Sequence, residues 1–237
     1  MAPKKAIISD SNEELINVYE VVRDSLDELL SIIKVYRNEE EFYYKVRNQN
    51  PSNLGTIERA ARILYLNKTC YNGLYRVNKN DEFNVPFGRY KRPTIYNEKL
   101  LRKASNILRN AVIVCRDYRD VLSEFAGEND FIFLDPPYIP ISKYSDFKRY
   151  TKEFFYEEDH LELAKAVKKL YNLGCYVLLT NSNHPLVYEL YKEFEIEVHN
   201  TKRFINSKAD KRVGEDLIVI ADPPKRNKIF YADTKCS

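Results

Sequence analysis

Apolar positions along the chain follow two different periods. Leu15, Val18, Tyr19, Val22, Leu26, Leu29, Leu30 and Ile33 recur at spacings of three and four, so a helical run is predicted behind Asn12-Glu13-Glu14. Phe42 to Arg47 continues in the same period, and Gln49-Asn50-Pro51-Ser52-Asn53 breaks it. Ile57 to Leu66 is a second helical stretch, with Arg59 and Arg62 set apart from Ile57, Ala60, Ala61, Ile63 and Leu64. The rest of the pattern is short apolar blocks. Lys5–Ser9, Ala111–Cys115, Phe131–Leu134, Tyr176–Leu179, Ile196–His199 and Leu217–Ala221 read as strands. Helices over Lys99–Leu108 and Glu157–Leu173 alternate with them, the second capped by Gly174. Strand and helix in alternation predict an α/β fold.

Between the helical third and that alternation lies a different texture. Asn67-Lys68-Thr69-Cys70-Tyr71-Asn72-Gly73-Leu74-Tyr75-Arg76 leads through Asn78-Lys79-Asn80-Asp81 into Phe83-Asn84-Val85-Pro86-Phe87-Gly88-Arg89-Tyr90-Lys91. This is the pattern of a β-hairpin turning at Asn78 to Asp81. Tyr and Asn side chains flank Arg76, Arg89, Lys91 and Arg92, a mixture suited to phosphates, base edges and stacked bases. A surface hairpin whose tyrosines pack on the helices is the plainer alternative.

One strand ends in candidate chemistry. Phe131-Ile132-Phe133-Leu134 stops at Asp135-Pro136-Pro137-Tyr138. A carboxylate and a proline-fixed carbonyl can both accept from an exocyclic amino group, and Tyr138 offers a stacking face. The same chain ends Leu217–Ala221 in Asp222-Pro223-Pro224-Lys225, with no ring to follow, so the tripeptide can also be a plain strand stop. Asp10 closes the Lys5–Ser9 strand. It is placed either to take the hydroxyls of a ribose or, with Ser11 and Asn12, to cap the next helix.

Charge sharpens the picture more than total composition does. The 237 residues carry a net charge of +3, yet residues 58–109 hold twelve Lys and Arg against four acids. Residues 10–50 lean the other way, with ten acids against five bases. A basic segment with interleaved aromatics is the footprint of a polyanion partner. Cys70, Cys115, Cys175 and Cys236 are scattered, as are His160, His184 and His199. Neither a disulfide framework nor a metal site is expected, and a cytoplasmic setting fits. No apolar run reaches the roughly 18 residues of a membrane span. The charged, aromatic stretch Asp146 to Phe155 is expected to be a mobile loop near Asp135.

Taken together, the Leu66–Arg76 segment, the Glu82–Lys91 segment and Asp135-Pro136-Pro137-Tyr138 closely resemble the Dam-like DNA adenine-N6 methyltransferases, from about Lys4 to Asp222. The resemblance implies S-adenosylmethionine as cofactor and, as substrate, an adenine flipped out of duplex DNA, GATC being the first expectation for the site. It implies that Asp10 takes the cofactor ribose hydroxyls, that Asp117 and Tyr118 lie beside the cofactor adenine, and that Asp135, Pro136, Pro137 and Tyr138 form the catalytic loop, with Asp135 also near the cofactor. Tyr71, Asn72, Leu74, Arg76, Arg89 and Lys91 would contact the duplex. The implied fold is a Rossmann-like methyltransferase sheet in residues 1–20 and 100–224, an inserted helical and β-hairpin recognition lobe in 21–99, and a basic tail in 225–237. Nucleoid association and a restriction-modification role are implied likewise.

One departure stands out. Family members carry a Lys-Trp-x-Gly-Gly-Lys-like segment and a Phe-x-Gly-Gly-Gly-like turn ahead of the strand that here is Ala6 to Ser9, and the six glycines of this chain form no such cluster. The sheet is therefore expected to lack its first strand, between Ala6–Ser9 and Phe131–Leu134, a gap of roughly 9 to 10 Å. A separate segment supplied in trans would fill it. An RNA guanine-N2 methyltransferase and an inactive DNA-binding remnant are the competing readings.

Overall fold

The structure is a computed structural model, and it describes residues 3, 5–80, 82–141, 155–202 and 213–223. The expected mobile loop at Asp146 to Phe155 lies outside the described residues except for Phe155. The chain divides into two compact units.

The first unit runs to residue 124. Strand β1 (Ala6–Asp10) pairs in parallel with β2 (Ala111–Cys115), Ala6 opposite Ala111 and Asp10 opposite Cys115. Between them come α1 (Glu13–Asp24), α2 (Leu26–Ile33), α3 (Glu40–Arg47), α4 (Thr56–Thr69) and α5 (Glu98–Leu108). The apolar stripe predicted as one helical run is split at Ser25, whose backbone leaves the helical region at φ −137 and ψ 42. Val18, Val22, Leu29, Leu30 and Ile33 are buried as its period requires, with Ala60, Ala61, Leu108 and Ile113 in the same core.

Arg62 departs from its expected outward position. It is 2% exposed on α4, and its guanidinium donates to the Val46 carbonyl at 3.1 Å and the Arg47 carbonyl at 2.8 Å. Those carbonyls belong to the last turn of α3, where carbonyls run short of helical donors; Val46 also accepts from the Gln49 amide at 3.3 Å. Periodicity places a side chain on a helix face; it does not reveal that a cation there caps another helix.

The second unit is a four-stranded sheet with helices. Its strands β3 (Phe131–Leu134), β4 (Tyr176–Ser182), β5 (Glu195–Lys202) and β6 (Val213–Ala221) stand in the order β3-β4-β6-β5. β3 and β4 are parallel, whereas β6 runs antiparallel to both its neighbours. Helix α6 (Tyr118–Phe125), which belongs to the first unit except for Phe125, precedes β3 in the chain, while α7 (Glu157–Leu173) and α8 (Pro185–Leu190) flank β4. α6 and α8 are too short and too mixed in polarity for a period to declare them. β4 and β5 extend past their apolar blocks into polar residues, because ladder hydrogen bonds continue there regardless of side chain.

A small knot fixes where β3 begins. Asp130 accepts from the Gly127 amide on its carboxylate at 2.8 Å, and its carbonyl accepts from the Tyr176 amide at 2.8 Å. Asn129 donates to the Gly174 carbonyl at 3.0 Å. Gly174 has φ +96, a conformation that L side chains rarely adopt, so glycine is required at this helix end.

Candidate active site and nucleic-acid interface

In the first unit, Asp10 and Asp117 come to the carboxyl ends of adjacent parallel strands. Asp10 accepts from the Asn12 amide at 2.7 Å, and burial raises its pKa while the Asn12 and Ser11 amides pull it back. The cap of α1 is Asn12 itself, which accepts from the Leu15 amide at 3.1 Å. Asp10 is thus spared capping duty and presents a half-buried carboxylate at a strand end. Asp117 is more committed: its Oδ1 accepts from the Arg119 amide at 2.8 Å and its Oδ2 from the Arg119 guanidinium at 3.0 Å. Tyr118 lies under that guanidinium at 4.8 Å.

The same unit holds the hairpin, built on a second apolar cluster of Tyr43, Val46, Tyr65, Leu66, Cys70, Phe83 and Val85. Its arms meet at two isolated antiparallel bridges, Val77 with Phe83 and Cys70 with Phe87. Asn78 shapes the turn, accepting on its side chain from the Asn80 and Glu82 amides at 2.9 and 3.0 Å. The Tyr43 hydroxyl donates to the Val85 carbonyl at 2.8 Å, fixing the second arm to α3. Gly88 is pressed against the first arm: a Cβ there would lie 2.6 Å from the Cys70 carbonyl oxygen.

On this frame, Tyr71 is 45% exposed and Asn72 takes φ 55, its amide donating to the Tyr90 hydroxyl at 2.9 Å. Leu74 is half-buried, and its carbonyl accepts from the Cys70 thiol at 3.2 Å. Burial pushes that thiol up to about 11, which keeps it protonated and unreactive. Arg76 is held by Asn84, its Nε 2.6 Å from the side-chain oxygen. Arg89 reaches Glu40 at 3.3 Å from an exposed position with φ 54, and Lys91 is exposed.

Asp135, Pro136, Pro137 and Tyr138 belong to the second unit, directly after β3. The β3–β4 register sets Leu134 opposite Leu179, and one step further the Thr180 hydroxyl donates to Asp135 Oδ1 at 2.5 Å. Asp135 is exposed, Pro136 half-buried and Pro137 exposed, and the Tyr138 ring is 38% exposed. The loop then re-enters the protein at Ile139, whose amide donates to Asn181 Oδ1 at 3.0 Å and whose carbonyl accepts from Ser182 Oγ at 2.6 Å. These β4 residues lie just past the Tyr176–Leu179 block and have no role assigned from sequence. The polar triplet after an apolar block was the available signal. By contrast, Asp222 lies beyond β6 as an exposed residue followed by buried Pro223.

A family model for the D12 class of N6 adenine-specific DNA methyltransferases matches residues 1–205. The chain belongs to this family. It is 44% identical over 222 residues to the Type II methyltransferase M.MjaIII of Methanocaldococcus jannaschii, covering 88% of this chain and 76% of that one. The Type II methyltransferase M1.LlaDCHI of Lactococcus lactis subsp. cremoris is 39% identical, with 90% and 77% covered. The DNA adenine methylase of Escherichia coli K12 is 32% identical, with 92% and 79% covered. Membership in a DNA adenine methyltransferase family removes the RNA guanine-N2 reading. Among the described residues no cluster of His, Cys, Asp and Glu could hold a metal ion, and no helix is long and apolar enough to cross a membrane.

Proposed function

We propose that this methyltransferase transfers a methyl group from S-adenosylmethionine to N6 of an adenine flipped out of duplex DNA, with GATC as the first site to test. The observation that carries the reading is Asp135, an exposed carboxylate at the end of β3 with one oxygen already held by Thr180. Its second oxygen is then the acceptor for one N6 proton, and the Pro136 carbonyl accepts the other. The adenine N6 lone pair is conjugated into the ring and is a weak nucleophile. Taking a hydrogen bond from each N6 proton favours a pyramidal nitrogen with its lone pair directed outward. Tyr138 stacks on the base and holds it in line, and positioning of this kind accounts for much of the rate.

The first unit fits the cofactor. A half-buried carboxylate whose Oδ1 is bound by the Asn12 amide suits a ribose diol, and this is the place of Asp10. Asp117 and Tyr118 would flank the cofactor's adenine. Bound S-adenosylmethionine supplies the electrophilic methyl group; the chain orients the base and excludes water. On this reading residues 21–99 are the DNA-recognition lobe, with Arg76 reading a guanine, Tyr71, Asn72 and Leu74 probing bases, and Arg89 and Lys91 meeting the backbone. Residues 1–20 and 100–224 carry the Rossmann-like catalytic sheet, and 225–237 is a basic tail. The protein would work at the nucleoid. Among the described residues β1 pairs with β2 alone, so its other edge can receive a glycine-rich strand and turn. That segment would complete the methionine end of the cofactor site.

Transfer of labelled methyl from S-adenosylmethionine to adenine-containing duplex tests the reading, run with and without a glycine-rich strand-turn peptide. Asp135→Ala is expected to lose at least 2 to 4 kcal/mol of barrier stabilisation, about thirtyfold or more in rate. Retention of more than roughly a tenth of the activity, equivalent to about 1.4 kcal/mol, removes Asp135 from this role.

A further inference from the structure

Along β4 the side chains alternate between two faces. Val177, Leu179 and Asn181 share the buried face, and across the ladder they lie opposite Ala221, Val219 and Leu217 on β6. Every one of those six residues is at most 2% exposed, and only one of them is polar. An asparagine on an otherwise apolar, closed face is costly, since its amide must find partners there. Asn181 finds donors for its oxygen in the Ile139 amide at 3.0 Å and the Ser182 amide at 2.8 Å, with the Ser182 hydroxyl at 3.5 Å. Its Nδ2 is buried with no partner among the described residues. A polar group kept at that cost, where leucine would fit the pattern, points to a role other than stability.

We infer that Thr180, Asn181 and Ser182 form a positioning bracket that fixes both ends of the loop from Asp135 to Ile139. This inference rests on the role proposed for that loop. Thr180 holds the entry, donating to Asp135 Oδ1 at 2.5 Å. Asn181 and Ser182 hold the exit through both backbone groups of Ile139. Pro136 and Pro137 lack amide hydrogens and cannot tie the loop down through them. Three consecutive residues of one strand restrain the loop at its two ends. The Thr180 bond also turns the carboxylate, so that Oδ2 is the oxygen offered to a substrate amino group. None of the three touches the reacting atoms; they act through Asp135 and Ile139.

Two measurements on the full chain test the bracket. Amide hydrogen exchange reads it without any need for activity. Asn181→Leu is expected to speed exchange at Ile139 at least tenfold while the β4 ladder amide of Leu178 keeps its protection, and Asn181→Asp, which retains an acceptor, restores the slow rate. Unchanged Ile139 exchange in Asn181→Leu overturns the inference; parallel acceleration at Leu178 also does, since it would mark a structural role only. Kinetics reads the other end: Thr180→Val is expected to lower kcat at least tenfold with KM for DNA within about twofold, and Thr180→Ser to recover most of it. A Thr180→Val protein with wild-type kcat overturns the entry half. If the wild-type chain transfers no methyl group with or without the glycine-rich peptide, the proposed function fails, while the exchange result still decides the bracket.

Discussion

His160 shows how a single side chain ties stability to pH. It lies on α7, 3% exposed, with its ring edge-on to Phe155 at 4.7 Å, and burial lowers its pKa from 6.5 to about 4. The unfolded chain therefore takes up the proton first as pH falls. The stabilising difference is complete above about pH 6.5 and drains away between 6.5 and about 4, on the order of 3 kcal/mol in all. Urea midpoints across that window are expected to fall less steeply for His160→Leu than for the wild type. Equal slopes would mean the ring is protonated without cost. The sequence shows His160 as an isolated histidine, but burial is a property of its surroundings. The same limit applies to Asp10: its placement at a strand end is legible, whereas the capping of α1 by Asn12 itself is a matter of geometry.

At the scale of the element, short-range pattern found most helices and strands and misjudged their joints. The break at Ser25 leaves the apolar period intact on both sides, so nothing in spacing marks it. The packing of α3 on α4 likewise depends on Arg62, which looks in sequence like one more basic residue. Its burial lowers its pKa, and its two donors satisfy carbonyls that end α3. Arg62→Met is expected to cost about 1 to 3 kcal/mol in chemical denaturation, because the Arg47 carbonyl loses the guanidinium and the Val46 carbonyl keeps the Gln49 amide at 3.3 Å. A loss below about 0.5 kcal/mol would show that water replaces the guanidinium. The hairpin was legible because turn residues, aromatics and glycines are local signals, and its anchoring by Tyr43 was not, since that contact spans forty-two residues.

For the molecule as a whole, the α/β class and the lopsided charge could be read directly, and each bears on DNA. Arg76 is braced by Asn84 while Lys91 stands in solvent, so the two are expected to fail differently. Arg76→Ala is expected to lose about 1 to 3 kcal/mol on the matched duplex and little on a mismatched one, whereas Lys91→Ala weakens both alike and reduces the salt dependence by about one ion. Filter binding at several salt concentrations separates them, and equal effects on both duplexes would make Arg76 a phosphate contact. The division into two units was not legible, because helix and strand alternation runs across it without a break. The knot at residues 127–130 has a further consequence for how the family can vary. β3 is only four residues long, so it works as a ruler of fixed length between that knot and Asp135. One inserted residue would carry the carboxylate about 3.3 Å along and turn it to the opposite face of the sheet. Insertions and deletions should thus be excluded from residues 127–135 in every active relative, even where the side chains themselves are free to change.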